Sequence, residues 1–285
     1  MFGTFVSLRK LSMKRNYQSI FHEIPKEWHF IVALFTTCVV AVFFFVYDIP
    51  RRAINDVMFA IRPSAQRAYE YGDIHFRAFN SRQYDIGRAE HWYKKSLALD
   101  PRLPYVHHQL ARVAFLRGDF HSAMWHINKE LDLNASPSPS SYYIRGLIEG
   151  YMGEYTQSAK DYEIYLKSDP NNWAAINDLA WVLLKSEKFQ KAADAIERGL
   201  KYFPENPWLL NSYATALFEL GRYEEALKAV KKAQAAVVDV TEYEWLVAYP
   251  GNDPKIAGQG LDAFRGAVAN NMHTIEMKVE SGTVQ

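Results

Sequence analysis

Small and bulky apolar positions recur along this chain at a helical spacing, and the spacing itself repeats. A small residue followed at four and eight positions by larger ones gives Ala89, Tyr93, Leu97; Ala123, Ile127, Leu131; Ser158, Tyr162, Leu166; Ala192, Ile196, Leu200; and Ala226, Val230, Gln234. Residues four apart stack one turn above another, so each triplet marks one face of one helix. Successive triplets are offset by 34, 35, 34 and 34 residues. Three positions before each small residue stands a bulky one: Ile86, Phe120, Tyr155, Phe189 and Tyr223. Gly118, Gly153 and Gly221 precede three of these by two positions, where a tight helix-to-helix turn favours a residue that tolerates positive φ. Pro101, Pro170 and Pro204 come twelve positions after the small residue and predict the end of each second helix.

The unit NPWLLNSYATALFELGRYEEALKAVKKAQ, with Leu217, Gly221, Tyr223 and Ala226, resembles the tetratricopeptide repeat family, whose period is 34 residues. The resemblance implies an all-α, right-handed solenoid of helical hairpins over residues 68–238, in units of about 68–103, 104–138, 139–172, 173–206 and 207–238. One hairpin cannot bury both its apolar stripes, whereas stacked hairpins build a continuous core. The departures from the family pattern are Ser158 for the small Ala, Ala135 and Val238 where Pro is usual, and NSRQYDIGRAE in place of a Gly turn in the first unit. After residue 238 the period ends. Residues 241–248 and 261–272 each predict a helix, separated by YPGNDP, with Trp245, Leu246, Leu261, Phe264 and Val268 able to cover the exposed end of the stack. Residues 239–285 are thus expected to form a cap, frayed after Glu280.

In this family the first helices line a concave binding face. The resemblance places there Tyr105, His108 and Arg112; Tyr143, Leu147 and Tyr151; Asn177, Trp181 and Lys185; and Trp208, Asn211 and Thr215. Tyr and Trp offer contact area at little entropic cost. His108 and Tyr143 stand where a family clamp for acidic tails wants other polar or cationic groups, so the expected ligand is a protein or peptide of apolar and aromatic character.

Ahead of the repeat, residues 29–47 carry no formal charge unless His29 is protonated, and twelve of them are Leu, Ile, Val or Phe. Nineteen helical residues cover roughly 28 Å, against a hydrocarbon core of about 30 Å. The twelve apolar side chains contribute roughly −5 kcal/mol to insertion. Trp28 and Tyr47 flank the run at interface positions. Asp48, Ile49, Pro50, Arg51 and Arg52 follow, in place of the small residues of a cleavage site, which favours a retained transmembrane helix over a signal peptide. The expected order is a basic arm (1–28), a membrane helix in the bilayer (29–47) and a linker or first helix (48–67), then the repeats and cap. Arg9, Lys10, Lys14, Arg15 and Lys26 tilt the orientation toward a cytoplasmic N-terminus in a bacterial plasma membrane. The acid-free start with Ser7, Ser12 and Ser19 keeps an organelle membrane as the alternative.

Charge then narrows the partners. The chain of 285 residues has net charge +1, with the first 28 residues at +3, so the remainder has no long-range pull on phosphate and nucleic acid is not expected. Cys38 is the only cysteine and lies in the apolar run, which excludes an intramolecular disulfide and a cysteine metal cluster. His107 and His108 are adjacent, and His121 and His126 five apart, so neither pair shares a helical face and no metal or cofactor is expected. GQGLDA at 258–263 spells a dinucleotide fingerprint without its strand context and reads as a helix-start loop. Glu224 and Glu225 open a second helix, where carboxylates complement the dipole. NAS at 134–136 is a glycosylation sequon only in a eukaryotic secretory compartment. No nucleophile elbow, phosphate loop, kinase set or zinc-protease helix occurs. The expectation is a non-catalytic membrane-anchored scaffold, with a structural homo-oligomeric subunit as the alternative and an unrecognised enzyme as the remote one.

Overall fold

The computed structural model of the chain describes residues 26–46, 49–76, 83–133, 137–248 and 253–282. They fall into two units, Met1–Met58 and Phe59–Gln285. The first contains α1 (Lys26–Val46) and most of α2 (Ile49–Ile61), the latter within the stretch expected as linker or first helix. In α1 the described side chains are those of residues 28–42, and all are exposed except half-buried Ala41. Thr36 and Thr37 donate their hydroxyls back to the carbonyls of Val32 and Ala33 at 2.7 Å, so the helix turns no free hydroxyl donor outward there. Among the described residues no helix is long and apolar enough to cross a membrane. Tyr47, at the end of the expected span, lies outside the described residues, as do most of the basic arm and the sequon.

The second unit is built of helical hairpins. They pair α3 (Ala65–Phe76) with α4 (Ile86–Leu99), α5 (Val106–Leu116) with α6 (Phe120–Leu133), and α7 (Pro139–Tyr151) with α8 (Tyr155–Ser168). The last two pair α9 (Trp173–Lys185) with α10 (Phe189–Leu200), and α11 (Pro207–Glu219) with α12 (Tyr223–Val238). All described regular structure is helical. Side chains start several helices: Asp85, Asn172 and Asn206 each accept from a backbone N–H three residues on, at 3.0 Å.

The turns inside the second to fifth hairpins share one geometry. The backbone N–H of Asp119, Glu154, Lys188 and Arg222 each donates to the carbonyl five residues back, at 2.8–3.0 Å. That closure needs a left-handed residue, supplied by Gly118, Gly153 and Gly221 at φ 74°, 86° and 74°. Glu187 takes the same position at φ 58° in the fourth hairpin, where the sequence offers no glycine.

The small residue of every triplet is fully buried: Ala89, Ala123, Ser158, Ala192 and Ala226 each have 0% exposure. Helices cross closely there, and a longer side chain would force them apart. Ser158 fits because its hydroxyl donates to the Gly146 carbonyl at 2.6 Å. Opposite it, a side chain on Gly146 would press on the Ser158 carbonyl at 3.2 Å.

Past the repeats come α13 (Glu242–Ala248), a short 3-10 turn (Pro254–Ile256) and α14 (Ala257–Gly282). The second cap helix therefore begins four residues earlier and ends ten later than the sequence pattern predicts. Its cause is the stripe Leu261, Phe264, Val268, Met272, Ile275 and Val279, spaced by three and four, which packs on the apolar face of α11 and α12. GQGLDA lies inside the first turns of α14 and not in a loop before it.

Candidate functional site

The first helices of the hairpins bring the sequence-derived candidates into rows. Repeat register aligns Tyr105, Ser140, Ala174 and Trp208; then His108, Tyr143, Asn177 and Asn211; then Arg112, Leu147, Trp181 and Thr215; with Tyr151 and Lys185 beyond. Tyr105, Tyr151 and Lys185 are exposed, His108 and Tyr143 are buried, and the other seven candidates are half-buried.

Around α5 the polar groups are already committed to one another. Glu130, on α6, accepts from the backbone N–H of Tyr105 at 2.9 Å and of His108 at 3.3 Å, so a neighbouring helix caps α5. It also holds Tyr105 in its left-handed conformation, φ 69°. The His108 ring meets the Ser141 hydroxyl at 3.0 Å. Arg112 donates to Gln109 at 2.8 Å and lies 4.5 Å from the Phe76 ring centre. Gln109 and the Tyr93 hydroxyl both donate to Asp73, at 2.8 and 2.7 Å.

Farther along, the Tyr143 hydroxyl donates to Asp178 at 2.7 Å, and Ser212 donates to Asn177 at 2.7 Å. Each bond links one hairpin to the next. Burial pushes the Asp178 carboxyl up to about 7, although the Tyr143 hydroxyl favours the charged form. Burial and the neighbouring Asp161 likewise push Glu149 up to about 7, against the nearby Arg145. Arg145 itself is bidentate to Asp161, at 2.6 and 3.0 Å. A raised carboxylate pKa marks many catalytic sites. Here Asp178 sits behind the Tyr143 ring and joins two hairpins, a structural use that accounts for its burial.

At the far ends of the first helices, aromatic rings run from hairpin to hairpin. Tyr151 lies 5.0 Å from Phe115 and 5.3 Å from Trp181, between ring centres. In the last hairpin, Trp208 stacks on Phe264 of α14, with centres 4.7 Å apart and planes 5° apart, and Asn211 accepts from Asn271 at 2.9 Å. Thr215 donates to the Asn211 carbonyl at 3.2 Å. The cap thus covers part of the last hairpin's share of this face.

What stays open is a cleft of about 450 Å³ at the starts of α7 and α9. Its walls include His108, Arg112 and Tyr143 from the candidates, together with Ser140, Ile144, Tyr165, Asn172, Trp173 and Ala174. Val247 and Ala248 of α13 complete it. Ser140 and Ala174 were legible in principle, since they continue the Tyr105 row at the repeat spacing. Tyr165 and the α13 residues were not, because they enter from other helices. A second cleft of about 400 Å³ adjoins at Trp173 and Trp208 and shares Val247 and Ala248. A third recess, about 490 Å³, lies beside the second helices α8 and α10 and carries Glu163, Lys167, Arg198 and Lys201 at its margin.

The structure also joins His107 and His126, whose Nδ1 atoms lie 2.8 Å apart. Spacing along one helix could not show this, since the two come from α5 and α6. Burial holds both below the usual histidine range, His126 at about 4, so the pair is neutral at pH 7. Among the described residues no group of three His, Cys, Asp or Glu is placed to hold a metal.

Known proteins agree with the hairpin architecture. The tetratricopeptide repeat family model matches residues 177–237. Tetratricopeptide repeat-containing protein trd-1 of Caenorhabditis elegans is 22% identical over 146 residues, 51% of this chain and 19% of that protein. Mitochondrial import receptor subunit TOM70 of Saccharomyces cerevisiae is 29% identical over 136 residues, 47% of this chain and 22% of that protein. The matched region therefore spans about a fifth of either relative. Among solved structures, MamA superposes with a TM-score of 0.51 at 23% identity, covering 59% of this chain and 91% of that one. YrrB, described as a TPR protein with an unusual peptide-binding site, gives 0.54 at 14% identity, covering 65% and 93%. At such identities the likeness establishes the fold: an all-helical, tetratricopeptide-type solenoid.

Proposed function

We propose that this tetratricopeptide-type stack is a non-catalytic adaptor, tethered to a membrane, that binds a protein or peptide segment along the face of its first helices. The observation that carries the reading is the open cleft at the starts of α7 and α9, where aromatic rings stand beside Arg112 and His108. Concave, largely apolar sites with a few polar groups that fix orientation are the usual form of a recognition pocket. The buried acids Asp178 and Glu149 are tied into the hairpin packing, and the His108 ring in the cleft wall is bonded to the Ser141 hydroxyl, so these groups serve packing and are not set out together for acid–base work.

The tether rests on sequence and on exposure together. Residues 29–47 are uncharged, and the described side chains of α1 are turned outward along one helix, with Phe30 73% and Phe35 69% exposed. An apolar surface of that extent calls for a bilayer or a protein partner to cover it. The reading places α1 in a bacterial plasma membrane with the basic arm on the cytoplasmic side, and an organelle membrane is the alternative. Tethering raises the effective concentration of whatever the stack holds near the bilayer.

Two measurements test this. Alkaline carbonate extraction of cell membranes should leave the full chain in the pellet, and its release into the supernatant would remove the anchor. Affinity capture of the full chain should lose its specific partner when Trp173 and Tyr143 are replaced by Ala in a folded variant. Identical partner sets would remove the cleft, and a fixed homo-oligomer without other partners would favour a structural subunit.

A further inference from the structure

Among the described residues, the three most exposed large apolar side chains of the hairpins and cap are Val238, Tyr243 and Tyr202, at 64%, 63% and 61%. They stand in two places of opposite charge. Tyr202 borders the recess of about 490 Å³ beside α8 and α10, where Lys167, Arg198 and Lys201 share the margin with one carboxylate, Glu163. The lining is apolar deeper in, with half-buried Leu166 and buried Ile176 and Leu179. Among the described residues Lys167, Arg198 and Lys201 make no ion pair, whereas Arg117, Arg145 and Arg222 each pair with an acid. Cations at the ends of α8 and α10 complement the helix dipoles. The dipoles account for the sign of these charges, but not for the apolar hollow between them or for the bare Tyr202 ring.

Val238 and Tyr243 stand among carboxylates instead, where α12 passes into α13. Asp239, Glu242 and Glu244 are all exposed there. Glu244 accepts from the backbone N–H and the hydroxyl of Thr241, at 2.8 Å each, which fixes the start of α13. Among the described residues Asp239 and Glu242 make no ion pair. Arg265 reaches this stretch from α14, but it donates to the carbonyls of Val237, Val238 and Val240, at 3.5, 3.3 and 3.0 Å, and pairs with Asp262 at 3.6 Å.

We propose that the acidic edge at the start of α13 in one copy of this chain docks in the cationic recess beside α8 and α10 of a second copy. Complementarity identifies the occupant. Each surface carries the charge the other lacks, each exposes an aromatic ring, and within one copy neither satisfies the other. Covering Val238, Tyr243 and Tyr202 removes apolar surface from water, while the opposed charges set the orientation of the encounter. Because the two surfaces differ, the contact is heterologous and builds a head-to-tail row or ring, not a two-fold pair. No residue of either surface walls the open cleft, so every copy in the row keeps its cleft for a partner.

The test is sedimentation velocity of the full chain in mild detergent over a range of concentrations. One variant reverses the recess, Lys167→Glu with Arg198→Glu, and another reverses the edge, Asp239→Lys with Glu242→Lys. Glu244 is left in place because it holds the start of α13. Circular dichroism confirms that both are folded. Wild type should form concentration-dependent assemblies, and either variant alone should assemble about tenfold more weakly or worse. Mixing the two variants in equal amounts should restore assembly, because the reversed recess then meets the reversed edge and the unaltered recess meets the unaltered edge. Tyr243→Ala should weaken assembly about fivefold or more, which attraction between charges alone would not show. A wild type that stays monomeric, assembly indifferent to both variants, or a mixture no better than its components would overturn the proposal. The adaptor reading stands or falls separately, on partner capture by Tyr143 and Trp173.

Discussion

The two halves of the first-helix face have the same sequence register and opposite fates. From α5 to α9 the face keeps an open cleft, with Tyr151 and Lys185 exposed beyond it. On α11 the equivalent residues are engaged by the cap: one face of the Trp208 ring lies flat on Phe264, while the residue also borders the second cleft, and Asn211 is bonded to Asn271. An internal hairpin has neighbours on both sides and can leave its inner face free, whereas the terminal hairpin has an uncovered flank that something must shield. Here α14 shields it and, being 26 residues long, reaches round to the inner face as well. Repeat register thus identifies positions that are structurally equivalent without making them functionally equivalent.

The largest effect should come from breaking the covered half. Val268 is fully buried between α14 and the last hairpin, so Val268→Asp places an unpaired charge there and should cost about 4 kcal/mol in thermal unfolding. Hydrogen exchange should rise in α11, α12 and α14 while α7 and α9 stay protected, because repeat stability is largely nearest-neighbour. Exchange rising equally throughout would mean that the halves are not separable.

Next in size is a pH effect confined to the open half. The Asp178 pKa rises from 3.8 unfolded to about 7 folded, so the folded state holds the proton more tightly. Stability then falls as pH climbs from about 4 to about 7 and stays low above that. Asp178→Asn keeps an acceptor for Tyr143 and should stabilise the chain by about 2 kcal/mol at pH 8, with no gain near pH 3.5. Denaturant unfolding at both pH values checks this, and a gain of equal size at both would contradict it. Glu149 contributes a slope of the same sign over the same window, which the variant leaves in place.

A smaller loss is expected from Ser158→Ala, which removes the bond to the Gly146 carbonyl and should cost about 1 kcal/mol in the same unfolding assay. Smallest is Asn271→Ala, whose half-buried bond to Asn211 is worth about 0.5 kcal/mol. It should alter the capped half alone and leave partner capture unchanged.

The hairpin core was legible because each constraint is local. The fully buried Ala89, Ala123, Ser158, Ala192 and Ala226 lie at a fixed spacing, and three of the turns carry a glycine at positive φ. Glu187 shows the limit, since the turn geometry persists where its usual residue is missing. The site was legible only in part. Register found His108, Arg112 and Tyr143, and it points equally to Ser140 and Ala174. It could not reveal that Phe264 would stack on Trp208, that His107 and His126 would meet, or that Val247 and Ala248 would wall the cleft. Each of these depends on packing between elements far apart in sequence, which periodicity along one helix does not encode.

The central claim is that the open half of the first-helix face is where the partner is held. It is tested most directly by placing a photoreactive benzoylphenylalanine singly at Ser140, Asn211 or Lys191 of the full chain in its native membrane. Ser140 walls the cleft, Asn211 is bonded to Asn271 of the cap, and Lys191 is exposed on the outer helix α10. The account predicts one discrete cross-linked product from Ser140 and none from Asn211 or Lys191. A product from Lys191 with none from Ser140 would contradict it.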